Sequence, residues 1–170
     1  MKPNILVACI GNIFLGDDGF GVVVARALLA RHLPDQVEVV DFGIRGFDLI
    51  YALLDGYDLV LFVDAAPRGG EPGSLYVIEP DLSEFEDADP RTLMVEPHGM
   101  NPLKVLAIAK SMGAVFKKIL IVGCEPATLG PEEGQIGLSE KIEAAVPEAV
   151  ALVESLISRH LLQIETAAAA

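Results

Sequence analysis

Apolar positions along the chain switch between two periods. Asn4–Ile10 is an almost unbroken apolar run rich in Ile, Leu and Val, the pattern of a strand buried on both faces. Gly11–Asp18 interrupts it with turn-forming residues. Gly19–His32 then places Val22, Val23, Ala25, Leu28 and Leu29 at helical spacing. Val37–Val40 predicts a second strand ending at Asp41, and Gly46–Leu54 a short helix. Leu59–Val63 predicts a third strand ending at Asp64, and Ser74–Ile78 a fourth. Pro80–Pro97 is acidic and irregular. Asn101–Met112 predicts a helix with Asn101 as N-cap and Pro102 at the first helical position. Ile119–Val122 reads as a fifth strand. Ser139–Leu162 reads as a last helix, which Pro147 is expected to kink or restart.

Strands alternating with helices predict a mostly parallel sheet covered on both faces. The short spacing from Asp64 to Ser74 leaves no room for a crossover helix. The fourth strand is therefore expected antiparallel to its sequence neighbour, or elsewhere in the sheet. The expected fold class is α/β: a three-layer α/β/α sandwich with a mixed, mostly parallel five-stranded sheet. It is expected as a single domain over residues 1–164, followed by a loosely ordered tail at 165–170 ending in four alanines.

Composition narrows the function. The chain has 170 residues, 52% of them hydrophobic, so it can bury a substantial core. Acidic residues outnumber basic ones 25 to 12, for a net charge of -13. Nucleic acid and anionic membrane surfaces, which need a basic face, are poorly served and are not expected as partners. No apolar run reaches membrane-spanning length, and Ile5–Ile10 is too short for a signal segment. The two cysteines, Cys9 and Cys124, lie in apolar runs rather than in a disulfide framework. A reducing, cytoplasmic setting is therefore expected.

Ligands of open α/β sheets sit beyond the carboxyl ends of the strands. The polar residues expected there are Asn12, Asp17 and Asp18, then Asp41, Asp64, Glu96, His98 and Glu125. The glycine-rich loop Gly11–Gly21 lacks dinucleotide-fingerprint spacing, and its two carboxylates would repel a pyrophosphate. Asp17 and Asp18 have two readings, helix caps or ligands, with Asp17 the better cap. Asp64 directly follows a buried strand, which would hold its carboxylate rigidly. His98 lies between Pro97 and Gly99, just ahead of a helix. One imidazole and two carboxylates form an N,O ligand set suited to zinc, nickel or a similar ion, with positions left open. Cys124 reads as a packed thiol rather than a nucleophile. Glu125-Pro126 reads as a turn and Ser139 as a cap, and no G-x-S-x-G elbow supports a serine hydrolase.

Taken in order, these segments resemble one family. Gly11-Asn12 through Asp17-Asp18-Gly19-Phe20-Gly21 resembles the opening signature of the nickel–iron hydrogenase maturation endopeptidases. Asp41–Gly46 resembles that family's second glycine-rich loop, and Val63-Asp64-Ala65 and Pro97-His98 its other two signatures. Gly123–Pro126 and Ile136–Ser139 are also similar. The chain departs at Cys9, where relatives often carry glycine, at Asp18, where many carry Glu, and at Phe42 and Ile44. The resemblance implies a mixed-sheet α/β endopeptidase that removes a short C-terminal extension from a hydrogenase large-subunit precursor after nickel insertion. It implies that the metal-contacting and catalytic residues are Asp18, Asp64 and His98. Asp41, Gly43 and Gly46 are then expected to line the substrate path, or else to form a simple strand-to-helix turn. The expected metal is a divalent ion, nickel, brought by the precursor, and the expected state is monomeric. A rival reading is non-enzymatic: a metallochaperone-like module using the same three ligands.

Overall fold

The computed structural model describes residues 4–81, 83, 100–131 and 133–169. Five strands form one sheet: β1 (Ile5–Ile10), β2 (Val37–Gly43), β3 (Tyr57–Ala65), β4 (Leu75–Ile78) and β5 (Phe116–Cys124). The helices are α1 (Phe20–Leu29), α2 (Gly46–Leu53), α3 (Pro102–Ser111) and α4 (Glu140–Ala169). The spatial order is β2-β1-β3-β5-β4. The first four are parallel, and β4 runs antiparallel along the outer edge of β5. The fourth strand thus takes the second expected arrangement. It sits beside β5 rather than β3.

Strand alternation assigns residues to two cores. Ile5, Val7 and Cys9 of β1 pack with Leu59, Leu61 and Val63 of β3 beneath α1 and α4. Leu6, Ala8 and Ile10 face the other way with Val60 and Phe62, beneath α2 and α3. All six β1 residues are fully buried, so the continuous apolar run is two interleaved faces rather than one. Each large side chain contributes about 1.5–3 kcal/mol by leaving water.

Local signals set the helix positions. The Asn101 side chain accepts a 2.9 Å hydrogen bond from the Leu103 N–H, and Pro102 opens α3, as expected. Gly21 lets α1 lie directly on the strand ends. A Cβ there would sit 2.1 Å from the Ile10 carbonyl oxygen and 2.5 Å from that of Val63. Helix α4 is continuous through Pro147, so the chain does not restart there. Pro147, the eighth residue of the helix, removes one backbone bond, but Ala149, Val150, Val153 and Ile157 hold the helix against the sheet. Residues Glu165–Ala169, expected as a loose tail, continue α4; alanine is the strongest helix former. Among the described residues no helix is long and apolar enough to cross a membrane.

Candidate active site

Helix α1 carries the chain from β1 to β2 on one side, while β3 and β5 extend the sheet the other way. The crevice beyond the carboxyl ends of β1 and β3 is therefore the topological switch point, where such sheets bind ligands. Asp18 and Asp64 reach it from different elements.

Asp18 is set by the loop after β1. Gly11 has φ 147°, and a Cβ on it would lie 2.0 Å from the Asp18 carbonyl oxygen, so only glycine lets the loop fold back this tightly. The Asn12 N–H donates to Asp18 Oδ2 at 3.0 Å, and the Asn12 side chain accepts from Phe14 N at 3.0 Å. Asp18 belongs to a short 3-10 turn, Gly16–Gly19, that leads into α1. Asp64 is the penultimate residue of β3, one position further into the strand than expected. Its backbone is registered against Gly123 of β5.

Both carboxyls are half-buried and poorly compensated. Burial pushes the Asp18 carboxyl above the usual range, partly offset by the Asn12 N–H. Burial pushes Asp64 well above that range, the negative charge of Asp18 adds to the rise, and the Ala65 N–H opposes it. The two groups thus feel each other's charge across the crevice. A cation between them would relieve both desolvation and repulsion, so the donor chemistry fits a divalent ion. Among the described residues no group of three or more His, Cys, Asp or Glu is assembled to hold a metal. His98, like Glu96, lies outside the described residues. Met100, two positions on, has its side chain against Gly46, where a Cβ would be 3.9 Å from Met100 Cγ.

Asp41, Gly43 and Gly46 form a strand-to-helix turn beside this crevice. Asp41 Oδ1 accepts from the Gly43 N–H at 2.9 Å, and Gly43 adopts φ 55°. The Gly43 carbonyl accepts from the Gly11 N–H at 3.0 Å, joining the two glycine loops. Arg45 staples the turn by donating to the carbonyls of Asp41 and Phe42. A register shift opposite Cys9 and Ile10 makes room for Phe42, which enters the core.

Asp17 is not a helix cap. No side-chain cap bond is made at either the 3-10 turn or α1. Its carboxylate is fully buried and accepts four hydrogen bonds. These come from the N–H groups of Ala127 (2.9 Å), Thr128 (3.0 Å) and Ser139 (2.7 Å), and from the Ser139 hydroxyl (2.9 Å). Ser139, expected as a cap, spends its side chain on this bond. Together with the Leu15–Gln135 bridge, this clamps the segment before α4 onto the site loop. Glu125, expected in a turn, is a second anchor. Burial opposes its charge, but the N–H groups of Arg68, Gly70 and Gly69 and the Tyr76 hydroxyl hold its carboxyl below the usual range. These roles had no local signal, since the partners lie 49 to 122 residues away.

The cysteines are packed thiols. Burial drives the Cys9 thiol far up, and the charge of Asp41 adds to it. Cys124 is pushed up to about 11 by burial, then by Asp17 and Glu125. Neither is a thiolate near neutral pH.

Among the described residues, fold and crevice together define an α/β scaffold with two undercompensated carboxyls at its switch point and with thiols that burial keeps protonated. Comparison with known proteins specifies it further. The profile of the HycI hydrogenase maturation protease family matches residues 22–156. The chain is 34% identical to hydrogenase expression/formation protein HupM of Azotobacter chroococcum, covering 94% of this chain and 74% of that protein. It is 31% identical to the hydrogenase 2 maturation protease of Escherichia coli, over 86% of each. Among solved structures, the hydrogenase maturating endopeptidase HybD of E. coli superposes with a TM-score of 0.71 at 28% identity, covering 92% of this chain and 93% of that one. The hydrogenase 2 maturation peptidase of Thaumarchaeota archaeon SCGC_AB-539-E09 gives 0.68 at 35% identity, covering 91% and 97%. The chain belongs to the hydrogenase maturation protease family and is an endopeptidase of hydrogenase maturation.

Proposed function

We propose that this endopeptidase removes the C-terminal extension of a nickel–iron hydrogenase large-subunit precursor after nickel insertion. The observation that carries this reading is the pair Asp18 and Asp64, brought from separate elements to one crevice and both short of positive partners. Nickel enters as part of the substrate, held by the precursor, and Asp18, Asp64 and His98 complete its surroundings. When bound, a divalent ion supplies Lewis-acid polarisation of the scissile carbonyl or of a water. The protein's share is positional. The Gly11 fold-back fixes Asp18, the end of β3 fixes Asp64, and the Asp41–Gly46 turn forms the flank along which the extension lies. Either aspartate, with its raised affinity for protons, is suited to take a proton from an attacking water. The protein acts as a monomer, and in the cytoplasm, where its two unbridged cysteines stay reduced.

A metallochaperone-like module would use the same ligands but leave the precursor intact. Incubating the full chain with nickel-loaded precursor and resolving the large subunit on a gel distinguishes the two. The endopeptidase reading predicts a shortened subunit from nickel-loaded precursor and none from nickel-free precursor. His98→Ala should abolish the product. An unshortened nickel-loaded precursor contradicts the proposal.

A further inference from the structure

At the opposite edge of the sheet, where β3 and β5 begin, lies a cavity of about 220 Å³. Its roof is one face of α4: Leu156, Arg159, His160 and Gln163, at i, i+3, i+4 and i+7. Further back along the helix the inward positions are apolar, as at Val150 and Val153. Here polar side chains replace them, and the helix does not close on the sheet. The floor is apolar, built from Leu59, Leu120 and Val77. Among the described residues the rim carries Lys118 and Arg159 against a single acid, Glu79. Lys117 is occupied by Asp58 at 2.6 Å. The described residues of the rim therefore keep one net positive charge in a chain whose total is -13.

His160 supplies the second observation. Its Nε2 is buried and has no hydrogen-bond partner among the described residues. Buried polar atoms are nearly always paired, so this orphan nitrogen, closed off from the cavity as the side chain sits, gives the imidazole a reason to turn toward an acceptor placed there. The cavity has room for about seven waters at ~30 Å³ each, or for a ligand of that size. An apolar floor beneath a singly positive, donor-rich rim matches one chemistry.

We propose that this cavity is a binding site for a small organic monocarboxylate with a short hydrocarbon tail. The tail lies on Leu59, Leu120 and Val77, and the carboxylate meets Lys118 and Arg159, with the His160 imidazole turning to reach it. The site is separate from the Asp18–Asp64 crevice, which lies at the other ends of the same strands.

The test is a titration of the isotope-labelled full chain with sodium hexanoate, following backbone amide resonances. Saturable shifts at Lys118 and Arg159–Gln163 are expected, with a Kd on the order of 1 mM. Hexylammonium, of equal size and opposite charge, should give no saturable shift. The Lys118→Glu, Arg159→Glu double variant should weaken hexanoate binding by roughly tenfold or more. His160→Phe, which fills the cavity with an apolar ring, keeps the proposal testable should the charge-reversed variant fail to fold; it should abolish the shifts in a folded protein. Absence of saturable shifts in the wild type, equal binding of the ammonium, or unchanged affinity in a folded variant would mean that the cavity holds only water.

Discussion

Asp17 and Asp18 are neighbours in the chain, yet protein groups surround their carboxylates in opposite ways. Asp17 is fully buried and meets three backbone N–H groups and a hydroxyl, all of them donors. Asp18 is half-buried, accepts one N–H from Asn12, and faces the like charge of Asp64. A buried carboxylate with a full set of donors has its charge compensated and belongs to the architecture. A pair with too few donors stores electrostatic strain that a cation releases, which is how functional sites differ from structural ones. Burial alone would have ranked these residues in the wrong order. The count of donors separates them.

The largest effect is expected at Asp17. Asp17→Asn keeps the shape but turns an amide N–H₂ toward groups that are all donors. The expected loss is roughly 3–5 kcal/mol, because several buried donors lose a charged acceptor at once. The midpoint of urea denaturation measures it, and a loss below about 1 kcal/mol would return Asp17 to a minor role. Next comes Gly21→Ala, whose Cβ meets two strand carbonyls. Displacing α1 should cost on the order of 2–3 kcal/mol and lower cleavage as well, because α1 carries the Asp18 turn. Cys124→Ser should cost about 1–2 kcal/mol, as a buried hydroxyl replaces a packed thiol, while cleavage stays close to wild type. Loss of cleavage with unchanged folding would give the thiol a chemical role.

The smallest effect has the opposite sign. Asp64 holds its proton more tightly folded than unfolded, so stability falls as pH rises through the interval between the unfolded and the raised folded pKa. Asp64→Asn removes that penalty. At neutral pH it should raise Tm by about 2–4 °C, corresponding to about 1 kcal/mol in a chain of this size. The gain should vanish below the ordinary aspartate pKa of about 3.9, where the wild-type carboxyl is protonated in both states. A variant less stable than wild type at neutral pH would show that Asp64 is compensated like Asp17.

The sequence carried most of the fold, because its signals are local. The apolar runs of β1 and β3, the Asn101-Pro102 start of α3 and the short link before β4 each follow from neighbouring residues. Asp18, Asp64 and the Asp41 turn were legible as strand-end positions, where α/β sheets expose polar groups. Asp17, Ser139 and Glu125 were misread because their roles depend on partners far along the chain, which no local pattern encodes. Helix α4 passes Pro147 because tertiary packing outweighs one missing backbone bond, a balance that propensity does not contain.

If Asp18 and Asp64 serve cleavage rather than folding, as proposed above, removing either charge stops the reaction and spares the fold. Asparagine caps helices as well as aspartate and is nearly its shape, so Asp18→Asn removes charge and little else. The decisive measurement is the rate at which Asp18→Asn and Asp64→Asn, each shown to be folded, shorten nickel-loaded precursor. A loss of at least roughly 100-fold is expected in each, the scale on which single charge-stabilising groups act. Processing at the wild-type rate by both variants would contradict the proposal.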